Sequence, residues 1–180
     1  MMSSVPIMVI DASLAVARVR VKEQTPQILD AFREWSRVGT RLIVPRQFWW
    51  EVVNALAIGH HYSGDQVLEG IHELETLGIE TWDPDHGQLL LTIEAVERFR
   101  LTAYDAQYLV LAETQVAPLA TLDRALARAA GSRARYLGPG GPGHRLSEPP
   151  AVFEHAVTWL NYKGASAYLA KLRAEAGRPG

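Results

Sequence analysis

Ile7-Met8-Val9-Ile10, followed at once by Asp11, is the stretch from which the fold can be read. Consecutive apolar, mostly β-branched residues without polar alternation describe a strand buried on both faces, as in a parallel sheet. That strand ends at a carboxylate. Outward from it, Ile28, Leu29, Phe32 and Trp35 recur at helical spacing between Pro26 and Val38, and Gly39 closes the helix. Arg41 to Val44 (RLIV) reads as a second strand. Pro45 suits a first helical position, and Phe48, Trp49, Val52, Val53 and Leu56 carry an apolar face towards Gly59, with Glu51 in the early turns. A further helix between Ser63 and Leu77 carries Val67, Leu68, Ile71 and Leu74 and stops at Gly78.

Ile79 to Trp82 is a short strand, and Asp83-Pro84-Asp85 is a turn before a helix whose core positions are Leu89, Leu90, Ile93 and Val96. Leu101-Thr102 opens another helix from Ala103 to Glu113, Val116 to Thr121 forms a strand, and Asp123 starts a short helix. Strands alternating with helices in this way predict an α/β fold, a sandwich on a mostly parallel central sheet. The length of 180 residues suits one domain with a tail. Residues 1–137 form the expected domain, 138–150 (GPGGPG through Pro149-Pro150) a Gly/Pro-rich linker, and 151–180 a helical extension carrying Phe153, Val157, Leu160, Tyr168, Leu169 and Leu172.

Composition narrows the function. With 48% hydrophobic and 21% charged residues the chain is globular, which excludes a disordered scaffold. The cysteine count of 0 excludes disulfides, thiolate zinc sites and a cysteine nucleophile. No apolar run approaches the ~18–20 residues of a membrane span, and the first residues lack a signal peptide's basic start, so the cytoplasm is expected. A formal net charge of −2 excludes nucleic-acid binding by bulk positive charge.

Four carboxylates stand where an open parallel sheet gathers functional residues: Asp11 after the first strand, Glu51 and Asp105 early in helices, Asp123 after Thr121. The ends that follow the strands line a common crevice, so acids remote in sequence can converge there. Singly, each has a plainer explanation. Asp11 and Asp123 suit helix N-caps, Asp105 follows Thr102 at capping-box spacing, and Glu51 favours the helix dipole.

Their contexts are VIDASL at Asp11, PRQFWWEVVNAL at Glu51, LTAYDAQYLVLAE at Asp105 and LATLDRAL at Asp123. In that order they resemble the acidic motifs of the PIN-domain ribonucleases, and among these the VapC-type toxins of bacterial toxin–antitoxin pairs. The resemblance covers Ile7 to Tyr136. It implies an α/β/α sandwich, with Asp11, Glu51, Asp105 and Asp123 as metal-binding and catalytic acids. It also implies RNA cleavage leaving a 5′ phosphate and a 3′ hydroxyl, a homodimer, and a small antitoxin partner. The linker and terminal helix depart from the compact family pattern.

Electrostatics agrees with that reading. Clustered carboxylates repel one another and protonate unless a cation neutralises them, so four together imply a hard divalent metal, Mg²⁺ with Mn²⁺ as substitute. Such an ion takes oxygen ligands at ~2.0–2.1 Å and bridges to substrate phosphate. It lowers the pKa of a bound water, and a second ion ~3.5–4 Å away can stabilise the leaving oxygen.

Ser13 matches the hydroxyl residue of the family's first motif, Asn54 shares a helix face with Glu51, and Thr121 precedes Asp123 by two. A cap, an exposed Asn and an ordinary strand Thr are the corresponding structural roles. Arg18, Arg46 and Arg124 are candidates for RNA phosphate contacts, with Arg20, Lys22 and Arg128 near them; such contacts fix register without choosing a base. Two dications would add four positive charges to the formal −2, so a mildly acidic chain can still hold RNA. The histidines offer no rival site: neighbouring His60 and His61 point apart on a helix. Two alternatives stand beside the nuclease: a catalytically silent RNA- or protein-binding module of the same type, and another Mg²⁺-dependent phosphohydrolase. The second lacks the Asp-x-Asp arrangement in VIDASL that an aspartate nucleophile would need.

Overall fold

The first strand, β1 (Ile7–Ile10), lies at the centre of a five-stranded, all-parallel sheet in a computed structural model that describes residues 5–139. On one side it pairs with β2 (Arg41–Pro45), which pairs with β3 (Glu80–Trp82); on the other it pairs with β4 (Leu119–Thr121), which pairs with β5 (Ala134–Tyr136). Val9 stands opposite Ile43 on one side and Leu119 on the other, and all are buried. An apolar run with no polar face therefore takes the central position, as its sequence requires.

The chain steps outward from β1 to β2 and β3, then returns to lay β4 against the other side of β1. Between the strands run α1 (Ala12–Val19), α2 (Pro26–Val38), α3 (Phe48–Asn54), α4 (Gly64–Glu75), α5 (His86–Phe99), α6 (Ala103–Thr114) and α7 (Arg124–Ala130). These helices flank the sheet as an α/β/α sandwich. Helix α1 packs on α2, α3 and α4, whereas α6 packs on α5, α7 and strands β1, β2 and β4. The reversal of direction falls between β1 and β4, where an open sheet places its ligand crevice.

Helix α2 spans the residues expected from its apolar spacing and ends at Gly39. Thr25 caps it by accepting from the Ile28 N–H, and Gly39 ends it in the left-handed region at φ 69°. Elsewhere the structure corrects the reading. Pro45 does not start a helix: it is the last residue of β2, opposite Trp82, and α3 begins at Phe48. After Asn54 the helix widens into a π-helical turn, Ala55–Gly59. The strand expected from Val116 is shorter, because Val116 itself adopts φ 51° and β4 starts at Leu119.

The largest correction concerns α5. Of its expected core residues, Leu89, Leu90 and Ile93 are 53%, 43% and 50% exposed and Val96 packs part-buried against the core, while Gln88, Leu91, Thr92 and Ala95 face inward. The capping box decides this. Asp85 accepts from the Gln88 N–H, the Gln88 side chain returns to the Asp85 N–H, and the same side chain reaches Thr114 on α6 at 3.3 Å. With Gln88 turned inward, Leu91, Thr92 and Ala95 follow at helical spacing, and the outer leucines are left to solvent. The expected linker and helical extension lie, from residue 140 on, outside the described residues. No described helix is long and apolar enough to cross a membrane.

Reversal of the α5 face has a direct consequence for stability. Leu91→Ala should cost about 2–5 kcal/mol of unfolding free energy by emptying a buried site. Leu90→Ala should stay within about 0.5 kcal/mol. Urea denaturation of both variants distinguishes this arrangement from the one expected from periodicity.

Candidate active site

Asp11 directly follows β1 and is 5% exposed. It caps α1, accepting from the Leu14 N–H at 3.0 Å, so its structural role as a cap is real. Two hydroxyls complete its surroundings. Ser13 Oγ donates to the carboxylate at 2.9 and 2.8 Å, and Thr121 Oγ1, at the end of β4, donates to Oδ2 at 2.7 Å. Thr121 Oγ1 in turn accepts from the Asp123 N–H, and Ser13 Oγ from the Leu122 N–H. The ends of β1 and β4 are thus tied together through one carboxylate. Burial nevertheless pushes the Asp11 carboxyl up to about 6, with the Asp123 charge adding to the rise against the hydrogen bonds from Thr121, Leu14 and Ser13.

Glu51 lies in the first turn of α3, half-buried. Its Oε1 accepts a hydrogen bond from the Tyr108 hydroxyl on α6 at 3.1 Å. Burial pushes Glu51 up to about 7; the Tyr108 bond opposes this, and the charges of Asp105 and then Asp11 add to it. Tyr108 is itself buried, and its phenol is held strongly protonated by burial and by the neighbouring charges of Glu51 and Asp11. It therefore serves Glu51 as a donor.

Asp105 stands at the third position of α6. Its Oδ2 accepts from the Thr102 hydroxyl at 2.7 Å, while its N–H donates to Thr102 Oγ1 at 3.1 Å. This is a reciprocal cap using the Thr side chain twice, and not the expected capping box. Asp123 caps α7 through Oδ1, which accepts from the Ala125 and Leu126 N–H groups at 2.5 and 2.8 Å. All four acids thus lie at the same end of the sheet region. Asp11 senses Asp123, and Glu51 senses both Asp11 and Asp105. Among the described residues, no group of three or more His, Asp and Glu side chains is arranged to hold a metal ion as it stands. Each peripheral acid keeps one oxygen, Glu51 Oε2, Asp105 Oδ1 or Asp123 Oδ2, that accepts no hydrogen bond among the described residues. The donor set is all oxygen, which suits a hard divalent cation.

Of the other expected residues, Ser13 and Thr121 touch Asp11, whereas Asn54 is exposed and no hydrogen bond links it to Glu51. Tyr108 occupies the orienting role considered for Asn54. It follows Asp105 by three residues, a helical spacing that sets it beside that acid and carries no sign of its bond to Glu51, 57 residues away. The three arginines are engaged within the fold. Arg18 pairs with Glu73, Arg46 with Asp83, and Arg124 donates to the Tyr136 hydroxyl and the Pro139 carbonyl.

The PIN domain family matches residues 8–132, well over half of the chain. The chain belongs to the PIN domain family. PIN domains are typically nucleases and bind RNA. The PIN fold is also similar to that in the crystal structure of PAE2754 from Pyrobaculum aerophilum, at a TM-score of 0.53 and 19% identity, covering 94% of this chain and 96% of that one. No curated protein matches the chain.

Two carboxyls that hold protons more tightly when folded make this PIN domain pH-sensitive. The unfolded values are near 3.8 and 4.5, the folded ones about 6 and about 7. Folding takes up protons in that window, so the contribution to stability is full below it and is lost as pH rises through it. In EDTA the melting midpoint should fall from about pH 5 to about pH 8, and Glu51→Gln should raise it by roughly 2–5 °C at the upper end. Tyr108→Phe, which removes the bond that favours ionised Glu51, should steepen the fall. Differential scanning fluorimetry across pH reads all three.

Proposed function

We propose that the chain is a Mg²⁺-dependent endoribonuclease acting in the cytoplasm as the toxin of a toxin–antitoxin pair, with Asp11, Glu51, Asp105 and Asp123 as its metal-holding acids. One observation supports this reading: half-buried Glu51 on α3 is raised to about 7 chiefly by burial, and the charges of Asp105 on α6 and of Asp11 after β1 add to the rise, so acids from separate elements act on one another. Such repulsion is relieved by a hard dication, Mg²⁺ or Mn²⁺ in its place. When bound, that ion supplies the positive charge that acidifies an attacking water and balances charge building on a phosphodiester.

The chain's own residues do the positioning. Thr121 and Ser13 hold both oxygens of Asp11, and Tyr108 holds Oε1 of Glu51 so that Oε2 is left for a ligand. Asp105 and Asp123 each fix one oxygen in a helix cap and present the other. The outer face of α5, with Leu89, Leu90 and Ile93 exposed, supports a protein partner, a second copy or a small antitoxin.

A second reading, an RNA-binding module without catalysis, is favoured by the absence of a gathered cation cluster among the described residues. Cleavage of a labelled RNA by the full chain separates the two. Mg²⁺-dependent cutting that is abolished by EDTA and lowered at least roughly 100-fold by Asp105→Asn is expected, a larger loss than that of a residue which only orients a ligand. Equal, metal-independent behaviour of wild type and variant would leave the binding module. For the toxin role, expression in a bacterial host should arrest growth, and the Asp11→Asn variant should not.

A further inference from the structure

Leu89, Leu90 and Ile93 leave the outer side of α5 half-exposed, at a spacing that joins the three side chains into one apolar patch, while α6 packs on the helix from the other side. Glu94 adjoins the patch, four residues after Leu90. Its Oε2 is buried and has no hydrogen-bond partner among the described residues. Burial, and then the charge of Glu97 three residues on, push the Glu94 carboxyl up. A carboxylate oxygen shielded from water and given no donor is costly, and an arriving cation removes the cost. The arginines of this region are placed otherwise: Arg98 lies over the Phe99 ring at 5.3 Å, and Arg100 follows the last turn as the C-cap.

The chain carries a complement to this surface beyond Pro139. Tyr168, Leu169 and Leu172 repeat the spacing of Leu89, Leu90 and Ile93, and between Glu154 and Glu175 the Lys, Arg, Asp and Glu residues are Lys163, Lys171 and Arg173 alone. Residues 140–180 hold five Lys and Arg against three Asp and Glu, whereas residues 1–139 hold 13 against 17. The two parts of the chain therefore attract one another.

Reach and patch size favour an occupant joined to the same chain. Beyond β5 the Pro139 carbonyl is held at 3.2 Å by Arg124, the first residue of α7, and α7 packs on α6 as α6 does on α5. At ~8–10 Å between packed helices, α5 lies roughly 20 Å from α7. Residues 140–150 alone can span about 36 Å when extended. Three half-exposed side chains fall far short of the ~800 Å² per partner on which a standard interface between separate molecules rests. A tethered segment meets the same patch at an effective concentration on the order of mM, so a small contact suffices.

We propose that residues 165–173 dock on the outer side of α5 in the same chain, with Tyr168, Leu169 and Leu172 on Leu89, Leu90 and Ile93, and with Lys171 and Arg173 beside Glu94 and Glu97. The contact is independent of the nuclease reading. It also means that a second copy or an antitoxin reaches this face only by displacing the segment.

Amide hydrogen exchange of the full chain tests the docking. In wild type, residues 165–173 should exchange at least about tenfold more slowly than in Leu90→Asn/Ile93→Asn, while α6 keeps its protection in both. Glu94→Lys should also speed exchange in 165–173, and adding Lys171→Glu and Arg173→Glu should slow it again; this charge swap carries the test should the double Asn variant lose α6 protection by unfolding. The protection should survive tenfold dilution of the protein, as a contact within one chain must. Unprotected 165–173 in wild type overturns the proposal, as does protection that neither set of α5 substitutions alters. Protection lost on dilution would place the segment on a second copy and overturn the contact within one chain. If Leu90→Asn/Ile93→Asn dissociates a dimer in sedimentation and leaves exchange of 165–173 unchanged, the face belongs to a second copy and the proposal falls.

Discussion

A carboxylate at the end of a fully buried strand is the constraint on which the rest of the structure depends. Asp11 follows β1, the central strand, and a charge there is costly unless hydrogen bonds replace its water. The fold supplies them from both directions. The first turn of α1 brings the Leu14 N–H and Ser13, and the end of β4 brings Thr121. Only a sheet that changes direction between β1 and β4 sets those two ends side by side. The crevice and the topology are therefore one feature, and the distance from Thr121 Oγ1 to Asp11 Oδ2, 2.7 Å across 110 residues of sequence, is its signature.

Capping and convergence turn out to be compatible. In a parallel α/β fold each strand end is followed by the start of a helix, so an acid placed there meets free N–H groups and the crevice together. Asp11 caps α1, Asp123 caps α7, and Asp105 exchanges hydrogen bonds with the Thr102 cap of α6. A cap occupies one oxygen of Asp105 or Asp123 and leaves the second. The local role fixes where each side chain points, which is the preorganisation that a shared ligand needs.

What could be read from the chain follows the range of the interactions concerned. The IMVI run, the Ile28, Leu29, Phe32 and Trp35 spacing and the Gly39 stop act within a few residues, and the elements they mark are present as expected. The α5 helix shows where periodicity stops. Leu89, Leu90 and Ile93 form one apolar face, and Leu91 with Ala95 forms another, so the choice between them belongs to the Asp85–Gln88 box and Thr114 on a different helix. Helix α6 is buried nearly all round between the sheet and α5, and such a helix displays no polar face from which to read its orientation. For the same reason Tyr108 was hidden: its spacing from Asp105 is local, but its bond to Glu51 spans 57 residues. Asn54 had the right spacing to Glu51 and no bond to it.

The crevice also opposes the fold that builds it. Near neutral pH the Asp11 and Glu51 carboxyls are close to their folded pKa values of about 6 and about 7, so ionising both adds charge to a buried, like-charged neighbourhood. Each proton lost there lowers the stability of the folded chain relative to the unfolded one, where the same groups ionise freely. Any ligand that brings positive charge to this point binds the folded state alone and restores what ionisation removes. Affinity for such a ligand and the electrostatic stress of its absence are then the same free energy seen from two sides. Relieving the stress by substituting neutral side chains would stabilise the protein and remove the charge that attracts such a ligand.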